Sequence, residues 1–152
     1  MIPFPPKRIV VGTDFSPNAD AALDYAVALA KPLGAEIVIV YAYEVPVYAF
    51  PDGAMITGDL VDRLEKVSDE AMRDLLTKRK ASGVPMSGVV AIGPAWQEID
   101  RVAEDRKADL VVVGTHGRRG LARMVLGSVA ERVVRTSRCP VLTVGPTGQA
   151  AA

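Results

Sequence analysis

Residues 109–128 read Asp-Leu-Val-Val-Val-Gly-Thr-His-Gly-Arg-Arg-Gly-Leu-Ala-Arg-Met-Val-Leu-Gly-Ser. The run Asp109 to Gly114 is apolar at nearly every position and rich in β-branched residues. It gives way to a loop punctuated by glycines, and the loop ends on Gly127-Ser128, where helical spacing begins around Val129 and Val133. A continuous apolar run fits a strand buried on both faces, as strands of a parallel sheet are. A strand that passes through a loop into a helix is half of a parallel crossover unit.

The same reading extends in both directions. Arg8 to Gly12, Glu36 to Ala42, Gly88 to Ile92 and Cys139 to Val144 are runs of the same kind. Between them lie helical patterns. Pro17 to Leu33 places Ala22, Tyr25, Ala26 and Leu29 on one stripe, and Asp59 to Ser82 does the same with Leu60, Leu64, Val67, Ala71 and Leu75. Trp96, Ile99 and Val102-Ala103 mark a shorter helix. Ser16-Pro17 reads as an N-cap followed by proline at the first helical position, and Gly34 and Gly83 are placed to end helices. The alternation predicts an α/β fold: an open five-stranded parallel sheet with helices on both faces, Rossmann-like, in a single domain over 1–152 with an ordered core of about residues 7–145.

Composition narrows the function classes. Lys plus Arg and Asp plus Glu each number 18, so the chain has no net field with which to hold nucleic acid or an anionic membrane. A single cysteine, Cys139, and a single histidine, His116, exclude a disulfide framework and any metal site built on several Cys or His ligands. No apolar run approaches the roughly 18 residues of a membrane span. The opening Met1 to Arg8, with three prolines and late charges, lacks the order of a secretory signal, so a cytoplasmic setting is expected.

Ligands of open parallel sheets bind beyond the carboxyl ends of the strands, where the winding direction reverses. Two strand exits carry the densest glycine and polar content: Gly12-Thr13-Asp14-Phe15-Ser16 and Gly114-Thr115-His116-Gly117. The first and fourth strands are therefore expected to be neighbours. The skeleton Gly114, Gly117, Gly127-Ser128 bares backbone amides for a phosphate, and a helix start offers its N–H groups and positive dipole end. Six basic residues (Arg118, Arg119, Arg123, Arg132, Arg135, Arg138) face one acid, Glu131, between 114 and 138. Neither a Walker loop nor the dinucleotide Gly-x-Gly-x-x-Gly is present.

On these residues the chain resembles the universal stress proteins from about Lys7 to Val144. The glycine skeleton matches the motif of that family's ATP-binding branch, and Ile-Val-Val-Gly-Thr-Asp-Phe-Ser and Cys-Pro-Val-Leu-Thr-Val are similar to its opening and closing strands. The resemblance implies strand order 3-2-1-4-5 and an adenine nucleotide held between the first, second and fourth strands. Asp14 and the Thr13 backbone would face adenine or ribose, Ala42 would meet the adenine edge, and Gly114 would lie against the ribose. Gly117, Arg118, Gly127, Ser128 and Val129 would hold the phosphates, with magnesium bridging them rather than bound by protein ligands. Many members carry His-Val where this chain has Tyr41-Ala42.

The expected function is an ATP-binding regulatory module of the stress response, without a committed catalytic residue and with slow or no hydrolysis. The alternatives are a slow ATPase or nucleotidyl-transfer enzyme on the same sheet, with Asp14 or His116 essential, and a dimeric interaction protein that takes no nucleotide. The fifth strand should be a sheet edge whose apolar Val141, Leu142, Thr143 and Val144 pair with a second copy. The loop 45–57 reads either as a lid carrying Tyr48 and Phe50 or as an insertion, and the tail from Gly145 as unstructured.

Overall fold

The computed structural model describes residues 3–45, 58–116 and 126–146. The elements are β1 (Arg8–Gly12), α1 (Pro17–Leu33), β2 (Glu36–Tyr43), α2 (Gly58–Arg79), β3 (Met86–Ile92), α3 (Ala95–Asp105), β4 (Leu110–Gly114), α4 (Ser128–Thr136) and β5 (Val141–Val144). The strands form one parallel sheet in the order β3-β2-β1-β4-β5. The expected adjacency of the first and fourth strands is present, with Val11 opposite both Ile39 and Val112.

Alternate residues of the inner strands feed two core layers. Ile9, Val11, Ile37 and Ile39 pack beneath Leu23 of α1 and Met72 and Leu75 of α2. Val10, Val38, Val40, Val111 and Val113 pack on the other face with Ile99 and Val102 of α3 and Val133 of α4. Burying each such side chain stabilises the fold by about 1.5–3 kcal/mol before entropy is subtracted. Burial on both faces holds for the inner strands. It fails at the rims, where Ser87, Gly88 and Ile92 of β3 and Thr143 of β5 are exposed.

The helix boundaries follow from local chemistry. The Ala19 amide donates to Ser16 Oγ at 3.2 Å, Pro17 occupies the first turn, and Gly34 takes the left-handed φ of 60° that ends α1. The buried face of α1 is Ala19, Ala22, Leu23, Ala26 and Ala30, and Tyr25 lies outside it, 54% exposed. In α2 the inward residues are Ser68, Met72 and Leu75, whereas Val67 is 64% exposed. Ser68 tolerates burial because its hydroxyl donates to the Leu64 carbonyl at 2.6 Å. The helix continues as a 3-10 turn over Lys80–Ser82, and Gly83 closes it at φ 76°. Gly88 lets α2 settle onto β3, since a Cβ there would lie 2.4 Å from Met72 Cγ. Arg79 ties α2 to α1 through Asp20 and Asp24. Among the described residues no helix is long and apolar enough to cross a membrane.

Candidate functional site

The carboxyl ends of β1, β2 and β4 meet where the winding reverses, which brings the two glycine-rich exits side by side. The β1 exit is organised by side chains. Phe15 N–H donates to Thr13 Oγ1 at 3.0 Å and Ser16 N–H to Asp14 Oδ1 at 2.9 Å, two short turns in series that deliver Ser16 as the cap of α1. Phe15 takes φ 60°, a left-handed conformation that costs an L residue about 1–2 kcal/mol. Its ring packs 4.6 Å from that of Tyr41. Thr13 N–H donates to the Val40 carbonyl at 2.9 Å, so the backbone leaves β1 still stitched to β2. Ala42 stands at the end of β2, half-buried and opposite Ala91.

The β4 exit is organised by backbone. Thr115 N–H donates to the Val144 carbonyl at 2.9 Å, and the Thr115 carbonyl accepts from Gly127 N–H at 2.7 Å. Gly127 has φ −59° and ψ 153°, open to any residue. Glycine is needed there for space, because a Cβ would lie 2.9 Å from the Thr115 oxygen. The Gly127 carbonyl accepts the first helical bond, from Glu131 N–H at 2.9 Å. The amides of Ser128, Val129 and Ala130 therefore have no intrahelical acceptor and lie at the positive end of α4. Gly114 is tight for a similar reason, with a Cβ position 3.3 Å from the Asn18 carbonyl of α1. His116 Nδ1 lies 2.8 Å from Thr115 Oγ1.

Thr13, Asp14, Ala42, Gly114, Gly127, Ser128 and Val129 thus lie on exits of one sheet end. Gly117, Arg118, Arg119, Arg123 and the loop residues Tyr48 and Phe50 lie outside the described residues. The remaining arginines of the basic cluster are committed to neighbours: Arg135 pairs with Glu131 at 2.9 Å, Arg138 with Glu104 at 3.2 Å, and Arg132 lies 5.3 Å from the centre of the Trp96 ring. Trp96 itself packs half-buried against the second core layer. Sequence reasoning missed Thr115 and Asn18 as builders of this site. Both act through backbone atoms, which residue type does not report. Among the described residues no three His, Cys, Asp or Glu gather to hold a metal ion. Burial pushes the Cys139 thiol pKa up, against a smaller opposing effect of its contact with Ser137, which fits a packed residue rather than a nucleophile.

The model described as the universal stress protein family matches residues 5–145. Universal stress protein MJ0531 of Methanocaldococcus jannaschii is 38% identical over 140 residues, covering 91% of this chain and 81% of that protein. The solved structure of MJ0577, from the same organism, is similar with a TM-score of 0.78 at 26% identity, covering 94% of this chain and 98% of that one. A universal stress protein solved in complex with cAMP has a TM-score of 0.68 at 29% identity, covering 92% of this chain and 97% of its own.

Proposed function

The chain belongs to the universal stress protein family, and from that premise we propose that it is a cytoplasmic regulatory module that binds ATP beyond the ends of β1, β2 and β4. The observation that carries the reading is the Thr115–Gly127 bond, which brings the opening turn of α4 up to the β4 exit. Amides at a helix start favour an anion, and a triphosphate beside Ser128 and Val129 satisfies them. Gly117 and Arg118 complete the cradle in this reading. The part of Gly127 is to admit the close approach, since its own amide is taken by Thr115. Thr13 and Asp14 face the ribose or adenine, Gly114 the ribose, and the Ala42 backbone the adenine edge. Magnesium arrives with the phosphates rather than on protein ligands in this reading.

Binding without an activated water gives slow turnover or none, so the nucleotide acts by shifting conformation or partner choice. The partner in this reading is a second copy joined along β5 through Val141, Leu142, Thr143 and Val144. The relative solved with cAMP supports a second reading, in which a cyclic adenine nucleotide takes the same place.

Thermal unfolding tests both. Saturating Mg-ATP should raise the melting temperature, since a ligand at a hundredfold its Kd stabilises by about 2.7 kcal/mol. Asp14→Ala should reduce that rise in a chain that still folds. No rise with ATP but a clear one with cAMP favours the second reading, and no rise with either refutes nucleotide binding. Rapid metal-dependent phosphate release would instead make the protein an enzyme.

A further inference from the structure

We infer that the β3 rim, at the opposite side of the sheet from β5, is a self-complementary interface at which a second copy of this chain docks α2 against α2 and β3 against β3. On α2, Leu60, Arg63, Val67, Glu70 and Asp74 recur at three- and four-residue intervals, so they share one flank of the helix. The opposite flank carries Glu65 and Asp69. Those two lie near Tyr43 of β2, whose phenol is pushed up first by burial and then by their charges. Because β2 lies inward of β3, the Val67 flank looks out past the open edge of the sheet. Val67 is 64% exposed there, and Ile92 at the end of β3 is 54% exposed.

The occupant is written in the charge order. Turn a second α2 antiparallel about a point between positions 68 and 69. Asp59 then meets Lys78 of the other copy, and Arg63 meets Asp74, with each pair formed twice by symmetry. All four residues are exposed, and among the described residues none of them enters an ion pair within the chain. The same rotation sets Val67 opposite Glu70 of the other copy and leaves the two Val67 side chains within about one helical turn of each other across the axis.

A fully overlapped strand pair is compatible with that axis. An antiparallel pair of β3 strands in full overlap is centred on Val89, the middle residue of Met86–Ile92. On the face covered by α2 it sets Met86 opposite Ile92 and Gly88 opposite Val90, which covers the exposed Ile92 with an apolar neighbour. Gly88 lies against Met72. One strand residue, about 3.3 Å, corresponds to about two helix residues at about 1.5 Å each. The level of Val89 therefore falls near position 70 of α2, within one helical turn of the axis set by the charges.

The test is sedimentation velocity of the full chain over a wide concentration range, with Arg63→Asp and the swap of Arg63→Asp with Asp74→Arg. The single change should weaken self-association by about tenfold, as an attraction becomes a repulsion on both sides of the axis. The swap should restore it, and added salt should weaken the wild type. Arg63 is exposed and enters no ion pair among the described residues, so an unchanged melting temperature will show that the variants fold. If β5 also pairs, the wild type grows beyond a dimer and Arg63→Asp stops at the dimer. If β5 does not pair, the wild type is a dimer and Arg63→Asp is a monomer. A wild type that stays monomeric at millimolar concentration overturns the inference. So does an association that Arg63→Asp leaves unchanged, or a loss that the swap fails to restore.

Discussion

The two corners that flank the candidate site solve one problem by opposite means. After β1 the chain turns through side chains: Thr13 Oγ1, Asp14 Oδ1 and Ser16 Oγ each accept a backbone N–H within three residues. After β4 it turns through main-chain atoms, with Thr115 bonded to Val144 on one side and Gly127 on the other. A corner of the first kind depends on residue identity and is short. A corner of the second kind depends on the lack of a side chain and joins residues far apart in the chain. It also leaves helix-start amides bare for a ligand, whereas at the first corner Pro17 has no N–H and Ser16 Oγ takes that of Ala19.

The difference can be tested by moving side chains between the regimes. Gly127→Val should have the largest effect. A branched side chain 2.9 Å from the Thr115 oxygen must break the clasp, with a cost of about 1–3 kcal/mol in denaturant unfolding and loss of any stabilisation by Mg-ATP. Gly127→Ala should fall between that variant and the wild type, because φ −59° suits alanine and only the contact is strained. Ser16→Ala, at the other corner, should cost about 1 kcal/mol through the lost cap and leave the response to nucleotide unchanged. Thr115→Val should be the mildest, within about 0.5 kcal/mol of wild type, because it keeps both backbone bonds and gives up only the contact of Oγ1 with the neighbouring His116. A cost for Thr115→Val as large as that for Ser16→Ala would abolish the distinction between the corners.

The same division explains what the amino-acid order disclosed. Ser16, Pro17, Gly34 and Gly83 were legible because caps and left-handed ends depend on residue type. The inner strands were legible because burial on both faces leaves unbroken Val and Ile runs. On α2 the apolar stripe rightly includes Leu75 but also Val67, which is exposed, and it passes over Ser68, which is buried. Apolarity cannot report that a hydroxyl is satisfied by the carbonyl one turn back. The exposure of Tyr25 was missed because the buried face of α1 is formed by Ala19, Ala22, Leu23, Ala26 and Ala30, to one side of the stripe that includes it. At the site, the glycine pattern pointed to Gly114 and Gly127. The residues whose carbonyls crowd them, Asn18 and Thr115, were silent, because a carbonyl looks alike in every residue.

Thr115 has one further consequence. Its amide is tethered to the last residue of the rim strand and its carbonyl to the residue that launches α4. The first turn of that helix cannot shift without stretching a 2.7 Å link or dragging Val144 along with it. Slack in one place becomes tension in the other, so the molecule has a built-in lever arm one residue long between the start of α4 and its outer margin.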